Sequence, residues 1–274
     1  LEIALVGPFE VLSGRFDRRT PRLSPFLHWR YHLDPPEFFT VLAGEDTRHW
    51  GCFLDDPAKG DGCVMDYYAN EAFCLAPDGD TIFEAVRLEL EYSCHYADYP
   101  PADSVNYAQY EEELRQTDDL RQALMRYAGA DRPEVGEAYT DKYSGRTARA
   151  AHVVAETSDG AGVTAPPGTF RPLSLSGKKL RLLLYRQDDP AAIVDEARQA
   201  LRDGFPATAL QLGRELWPLP GARKRDYAYE LLDAAYAALG RETLRTVLRT
   251  HREHRDLPSV DIFDAEKEMG NGEA

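Results

Sequence analysis

Residues 38–54, FFTVLAGEDTRHWGCFL, and 63–86, CVMDYYANEAFCLAPDGDTIFEAV, decide the fold. Short runs rich in aromatic and β-branched residues, Phe38 to Leu42, Trp50 to Leu54 and Cys63 to Tyr68, read as strands. Working outward, Ile3 to Val6, Phe26 to Leu33 and Phe73 to Ala76 read the same way. Turn chemistry separates the runs at Gly7-Pro8, Asp34-Pro35-Pro36, Asp55-Asp56-Pro57 and Pro77-Asp78-Gly79, so the expected element is an antiparallel sheet. Thr81 and Glu84 have the three-residue spacing of a capping box. Phe83, Val86 and Leu90 then supply the stripe of a helix that covers one sheet face.

From Asp98 to Ser144 the chain turns acidic and Tyr-rich, with one helix expected from about Tyr107 to Tyr127. Asp131 to Gly145 holds Pro, Gly and charges, and divides the chain into residues 1–140 and 141–274. The second half opens on a β-like segment, Ala150 to Ala155, followed by the Pro-rich loop Pro166-Pro167-Gly168. Four helices follow. Pro190 opens one with Ile193, Ala197 and Leu201 on its face, and Pro206 opens the next with Leu210, Leu216 and Trp217. Tyr227, Leu231, Ala234 and Leu239 make a third, closed by Gly240, and Leu244, Val247, Leu248 and His251 a fourth. The fold class is α+β: an N-terminal antiparallel sheet with covering helices, then a mainly helical domain with a short β element.

Composition narrows the function classes. The net charge of −15, from 32 basic and 47 acidic residues, repels phosphate backbones at long range and disfavours direct nucleic-acid binding. It would attract a basic, histone-like partner, although surplus acid is more often a solubility device. No apolar run approaches the roughly 18 residues of a membrane span, and Leu1 to Val6 is too short for a signal peptide. The expected location is the cytoplasm, or the nucleus in a eukaryote. The scarcity of Lys among the basic residues points to a GC-rich, bacterial-looking coding sequence. Cys52, Cys63, Cys74 and Cys94 lack C-x-x-C spacing, and neither His49 with Cys52 nor His251 with His254 has a second pair of ligands, so no metal site is expected. Arg241, Arg245, Arg249 and Arg252 form a stripe on the last expected helix. It reads as a solvated face, or with Lys178, Lys179 and Arg181 as a positive patch for a pyrophosphate.

Leu5-Val6-Gly7-Pro8-Phe9-Glu10-Val11-Leu12-Ser13-Gly14, Leu27-His28-Trp29-Arg30-Tyr31 and Asp34-Pro35-Pro36-Glu37-Phe38 resemble the opening of the histone PARylation factor family. The likeness continues through Trp50-Gly51-Cys52-Phe53, Pro77-Asp78-Gly79-Asp80, Gly160-Ala161-Gly162-Val163, Phe170-Arg171 and Leu210 to Trp217, in the same order. From about Leu90 to Ala150 it is poor. The resemblance implies a partner that docks on the catalytic domain of a poly(ADP-ribose) polymerase and lends a carboxylate to direct modification to serine. A serine hydroxyl is a weak nucleophile at neutral pH, and a carboxylate within hydrogen-bond reach takes its proton as it attacks the anomeric carbon of NAD. NAD belongs to the transferase; this chain has no cofactor of its own and no expected activity alone.

Carried over residue by residue, Phe170 and Arg171 fall on the family's interface pair. Its catalytic glutamate falls on Asp203, and the acidic residue before it on Arg202. Asp is one methylene shorter than Glu. The alternative acids, if a gap is allowed, are Asp195 and Glu196. Two other classes compete: a stand-alone binding or immunity-type module, and an independent hydrolase of ADP-ribose, for which no nucleophile constellation is visible.

Overall fold

The computed structural model describes residues 3–70, 73–96, 107–186 and 189–271. Asp188 and residues 98–106, the start of the acidic stretch, lie outside them. A five-stranded antiparallel meander is built from β1 (Ala4–Leu5), β2 (Phe38–Ala43), β3 (Arg48–Asp56), β4 (Asp61–Tyr68) and β5 (Ala76–Gly79), neighbours in chain order. Phe38 stands opposite Phe53 and Phe53 opposite Cys63, so these side chains share one face with Met65 and Tyr67. Gly51 is required there, because a Cβ at that position would enter the Phe38 ring. Leu42, Trp50 and Val64 point the other way, onto Ala85 of α3 (Ile82–Tyr96).

The start of α3 follows its sequence signal. Thr81 Oγ1 accepts from the Glu84 amide at 3.1 Å while Glu84 Oε2 accepts from the Thr81 amide at 3.0 Å, a reciprocal capping box. Phe83 is not part of the buried stripe: it stacks on Tyr127 with centroids 3.9 Å apart, whereas Leu90 is buried and Val86 packs on the core as expected, joined by the buried Ala85 and Leu88.

Two local expectations are corrected. Phe26 to Leu33 is not a strand: a 3-10 turn occupies Pro25–Leu27 and Trp29 has φ +55°. Arg30 closes the loop around itself, donating to the carbonyls of Phe26, Pro35 and Phe38. Aromatic content alone suggested extension; three carbonyl acceptors for one buried guanidinium demand a bend. The last strand lies at Ala76–Gly79 rather than Phe73 to Ala76, so the Pro77-Asp78-Gly79 turn signal falls inside it, where Trp50 Nε1 donates to Asp78 at 2.8 Å. Short helices α1 (Pro8–Leu12) and α2 (Arg15–Arg18) follow Gly7, and Glu10 reaches back to the Gly7 amide.

Beyond α4 (Tyr107–Leu124) and α5 (Glu137–Tyr143), a 3-10 turn at Ala148–His152 leads to the ribbon β6 (Val153–Ala155) and β7 (Val163–Thr164). The four expected helices are present as α7 (Ala191–Arg202), α8 (Pro206–Leu216), α9 (Ala222–Ala238) and α10 (Glu242–Glu253). Two more flank them, α6 (Gly177–Arg186) and α11 (Ile262–Asn271). Helices α8 and α9 form a tight hairpin in which Gly213 lies against Leu232. Around it Leu210, Leu212, Trp217, Leu231, Tyr236 and Leu248 are buried in one apolar cluster.

Buried cations join this cluster to the sheet. The Arg149 and Arg214 guanidiniums lie over the Phe53 ring, 4.7 and 5.0 Å from its centroid. Arg149 grips Asp55 with two hydrogen bonds of 2.7 and 2.8 Å. Arg214, on α8, pairs with Asp159 and lies 3.5 Å from Glu37. Burial acts to lower the pKa of Arg214, yet Asp159 and Glu37 hold it above the ordinary arginine value. At the chain's end, Ile262 and Phe263 of α11 pack on Leu27, and Glu266 accepts from the amides of Arg22 and Leu23.

Removing one partner from such a buried cluster leaves charges uncompensated, at about 3–5 kcal/mol. Arg214→Ala is expected to lower the unfolding free energy in urea by that amount; a loss under about 1 kcal/mol would show that the cluster does not hold the halves together.

Candidate functional site

The corner where α7 meets α8 is built by ordinary helix-end chemistry. Gly204, at φ +91°, takes the left-handed position after α7. Its amide bonds to Leu201 O at 3.1 Å and the Phe205 amide to Ala200 O at 2.9 Å, the pair of bonds of a Schellman motif. Asp203 is the residue that caps α7. A carboxylate there opposes the helix dipole, whose C-terminal end favours cations, so helix stability does not account for it.

A second segment is fastened to the same corner. The loop after β7 folds on Pro166, whose carbonyl accepts from Thr169, and the Ala207 amide in the first turn of α8 donates to Thr169 O at 3.0 Å. Thr208, fully buried in α8, holds Arg171 by both backbone groups: its hydroxyl accepts from the Arg171 amide at 2.9 Å and donates to the Arg171 carbonyl at 2.6 Å. Phe170 packs its half-buried ring on the helical core. Arg171 is thereby directed at Asp203, with Nη2 2.9 Å from Oδ2 and the two side chains 42% and 38% exposed. Its guanidinium also lies 4.7 Å from the Phe205 centroid.

The electrostatics follow. Hydrogen bonds from Arg171 and then from Gln199, which donates to Oδ1 at 2.7 Å, hold the Asp203 carboxyl below the usual aspartate range. Gln199 also accepts from Arg202, so the residue before Asp203 supports it through an amide bridge. The folded state thus favours the ionised acid. The pair's stabilising effect is present above the ordinary aspartate pKa and is lost as pH falls through the depressed folded value.

The structure places the other sequence candidates elsewhere. Asp195 pairs with Arg198 at 2.7 Å, and Glu196 accepts from the Ser174 amide and hydroxyl, both at 2.6 Å, tying a loop to α7. The arginine stripe is not a free positive patch. Arg241 is buried at the start of α10 and donates to Thr164 O, Arg245 and Arg249 share Asp233, and Arg252 faces Asp226. His49 is buried, stacked on Tyr31 and 3.2 Å from Asp34; His251 is buried beside Trp217. Among the described residues no group of three or more His, Cys, Asp or Glu is placed to hold a metal, and no helix is long and apolar enough to cross a membrane. Sequence reasoning did not single out Thr208, Gln199 or Phe205. The one signal was position: each lies within five residues of Asp203.

The corner thus presents an acid and a guanidinium side by side on an open surface, anchored from behind by a buried hydroxyl. Comparison with known sequences gives the particular lineage. The profile of the family described as Histone PARylation factor 1 matches residues 1–255, and the chain belongs to that family. Histone PARylation factor 1 of Bos taurus is 35% identical over 94 residues, 33% of this chain and 27% of that protein. That of Danio rerio is 39% identical over 92 residues, 33% of this chain and 26% of its own length. These two matches span about a quarter of each relative. A Homo sapiens protein described as putative histone PARylation factor 1-like is 24% identical over 295 residues, covering 97% of this chain and 78% of that protein.

Thr208→Val keeps the shape of the side chain and deletes the hydroxyl, leaving a buried amide and carbonyl of Arg171 unpaired at about 1–3 kcal/mol. Hydrogen exchange at the Arg171 amide is expected to accelerate about tenfold or more, the equivalent of roughly 1.4 kcal/mol. Unchanged protection would mean that Thr208 does not position the loop.

Proposed function

We propose that this chain is an accessory factor that docks on an ADP-ribosyltransferase and completes its active site for transfer to serine. The observation that carries the proposal is the exposed Arg171–Asp203 pair at 2.9 Å, two residues to which the sequence resemblance alone assigns the roles of interface arginine and catalytic acid. NAD is bound by the transferase. Asp203 accepts the proton of the serine hydroxyl as its oxygen bonds to the anomeric carbon of the NAD ribose, and the bond from that carbon to nicotinamide breaks. A histone-like basic substrate suits the net charge of −15.

In the free chain Arg171 occupies the carboxylate and weakens it as a base. Docking supplies the remedy. A carboxylate on the transferase, gripped by the planar guanidinium, draws Arg171 away and leaves Asp203 to the incoming hydroxyl. Asp is shorter than Glu by one methylene, roughly 1.5 Å of reach, and about 1 Å of misplacement costs on the order of a hundredfold in rate. The corner must therefore approach its partner closely.

The test is reconstitution of the purified chain with an ADP-ribosyltransferase and NAD, with modified residues mapped by mass spectrometry. The chain alone is expected to be inactive, and the mixture to modify serine. Asp203→Ala should bind the transferase with parental affinity and lower serine transfer at least a hundredfold, in line with loss of a general base. Arg171→Ala should weaken the complex. Serine transfer undiminished by Asp203→Ala removes the proposed role.

A further inference from the structure

At its middle the arginine stripe of α10 is neutralised by Asp233. Its C-terminal end differs. There the loop through His32, the turn between α8 and α9 and the residues after α10 enclose a cleft of about 480 Å³. Three guanidiniums line it, those of Arg225, Arg252 and Arg255, together with the His32 ring; the acids in its wall are Asp226 and Asp256. In a chain of net charge −15, cations converging on one concavity are not the average surface.

Their pairing leaves donors free. Arg225 is exposed and has no ion pair among the described residues. Arg252 is spread between Asp226, at 3.4 Å, and the Tyr229 ring, 4.9 Å from its centroid. Arg255 meets no carboxylate among the described residues. Its Nε donates to His32 O at 2.7 Å and its Nη2 to Trp217 O at 3.1 Å, and its carbon centre lies 4.4 Å over the buried Trp217 ring. Nη1 has no partner and is closed off from solvent. This is a guanidinium fixed in place by stacking and by carbonyls, and it adds a held positive charge to the wall of the cleft. Rigid guanidinium groups are what phosphate recognition employs, because the cost of ordering the side chain is met before the ligand arrives.

The start of α9 lies at the same cleft and points the same way. Ala222, its first residue, is in the wall; no side chain caps the helix and no acid occupies its first turn. Arg223, Lys224 and Arg225 stand there instead. Cations at the positive end of a helix dipole are electrostatically unfavourable, and an anion bound beside them reverses the sign of the interaction.

We propose that this cleft binds a phosphate-bearing ligand of the sugar-phosphate or nucleotide class. Arg225, Arg252 and Arg255 hold the phosphate, and Asp256 accepts from a sugar hydroxyl. The site is separate from the Arg171–Asp203 corner, since it lies at the other end of the α8–α9 hairpin, about 16 Å away along α8 at 1.5 Å per residue.

Titration calorimetry of the full chain at low salt, with inorganic phosphate, pyrophosphate and ADP-ribose as probes, tests the proposal. At least one probe is expected to bind saturably and to lose tenfold or more in affinity in the double variant Arg225→Glu, Arg252→Glu. Both side chains are exposed, so the variant should keep the parent's circular dichroism and melting temperature. Arg249→Glu, outside the cleft on the same helix, should leave the affinity unchanged. ADP-ribose binding more tightly than pyrophosphate would support a sugar-nucleotide ligand; equal binding would overturn the assignment of Asp256 to a sugar hydroxyl. No saturable binding by any probe, or the same affinity in the folded double variant, overturns the proposal.

Discussion

One guanidinium sets the geometry on which the remainder rests. Arg214 of α8 is buried between Asp159, which precedes β7, and Glu37, which leads into β2, and it lies against the Phe53 ring of the sheet. An ion in that position is tolerated only with its counter-charges in place, so helix, ribbon and sheet have one relative placement. Trp217, one residue beyond the same helix, adds a bond from its indole nitrogen to Leu33 O at 2.8 Å. With α8 fixed, Thr208 near its start is fixed too, and the loop carrying Arg171 has somewhere rigid to attach. The exposed corner inherits its precision from charges far below it.

Much of this was legible in the chain. Strands β2 to β4 announced themselves because their partners are sequence neighbours and their turns carry Pro, Gly and Asp. Helices α7 to α10 did so because Pro190, Pro206 and Gly240 mark their ends and a buried stripe runs between. Elements stabilised at long range were not legible. Phe26 to Leu33 reads as a strand until the carbonyls that surround Arg30 are known. The buried face of α11 meets Leu27 at the opposite end of the chain, and α6 buries Leu180 and Leu184 inside a run whose other leucines disguise the period.

The candidate site divides along the same line. Asp203 and Arg171 came from order and spacing within a family likeness, which carries no information on whether two residues meet. Their meeting depends on Thr208 and on the Gly204 turn, both of which are local chemistry seen only once the loop is laid on α8. The arginine stripe shows the converse: a periodic pattern, correctly placed on a helix, whose middle pair, Arg245 and Arg249, is already spent on Asp233.

The central claim is that Arg171 masks Asp203 in the free chain and gives it up on docking. The most direct measurement is the carboxyl titration of Asp203 by carbon-detected magnetic resonance, in the free chain and in complex with the transferase. The account predicts a value below the ordinary aspartate range when free and a clear upward shift in the complex. A carboxyl that titrates identically in both states, in a complex that still modifies serine, would contradict it.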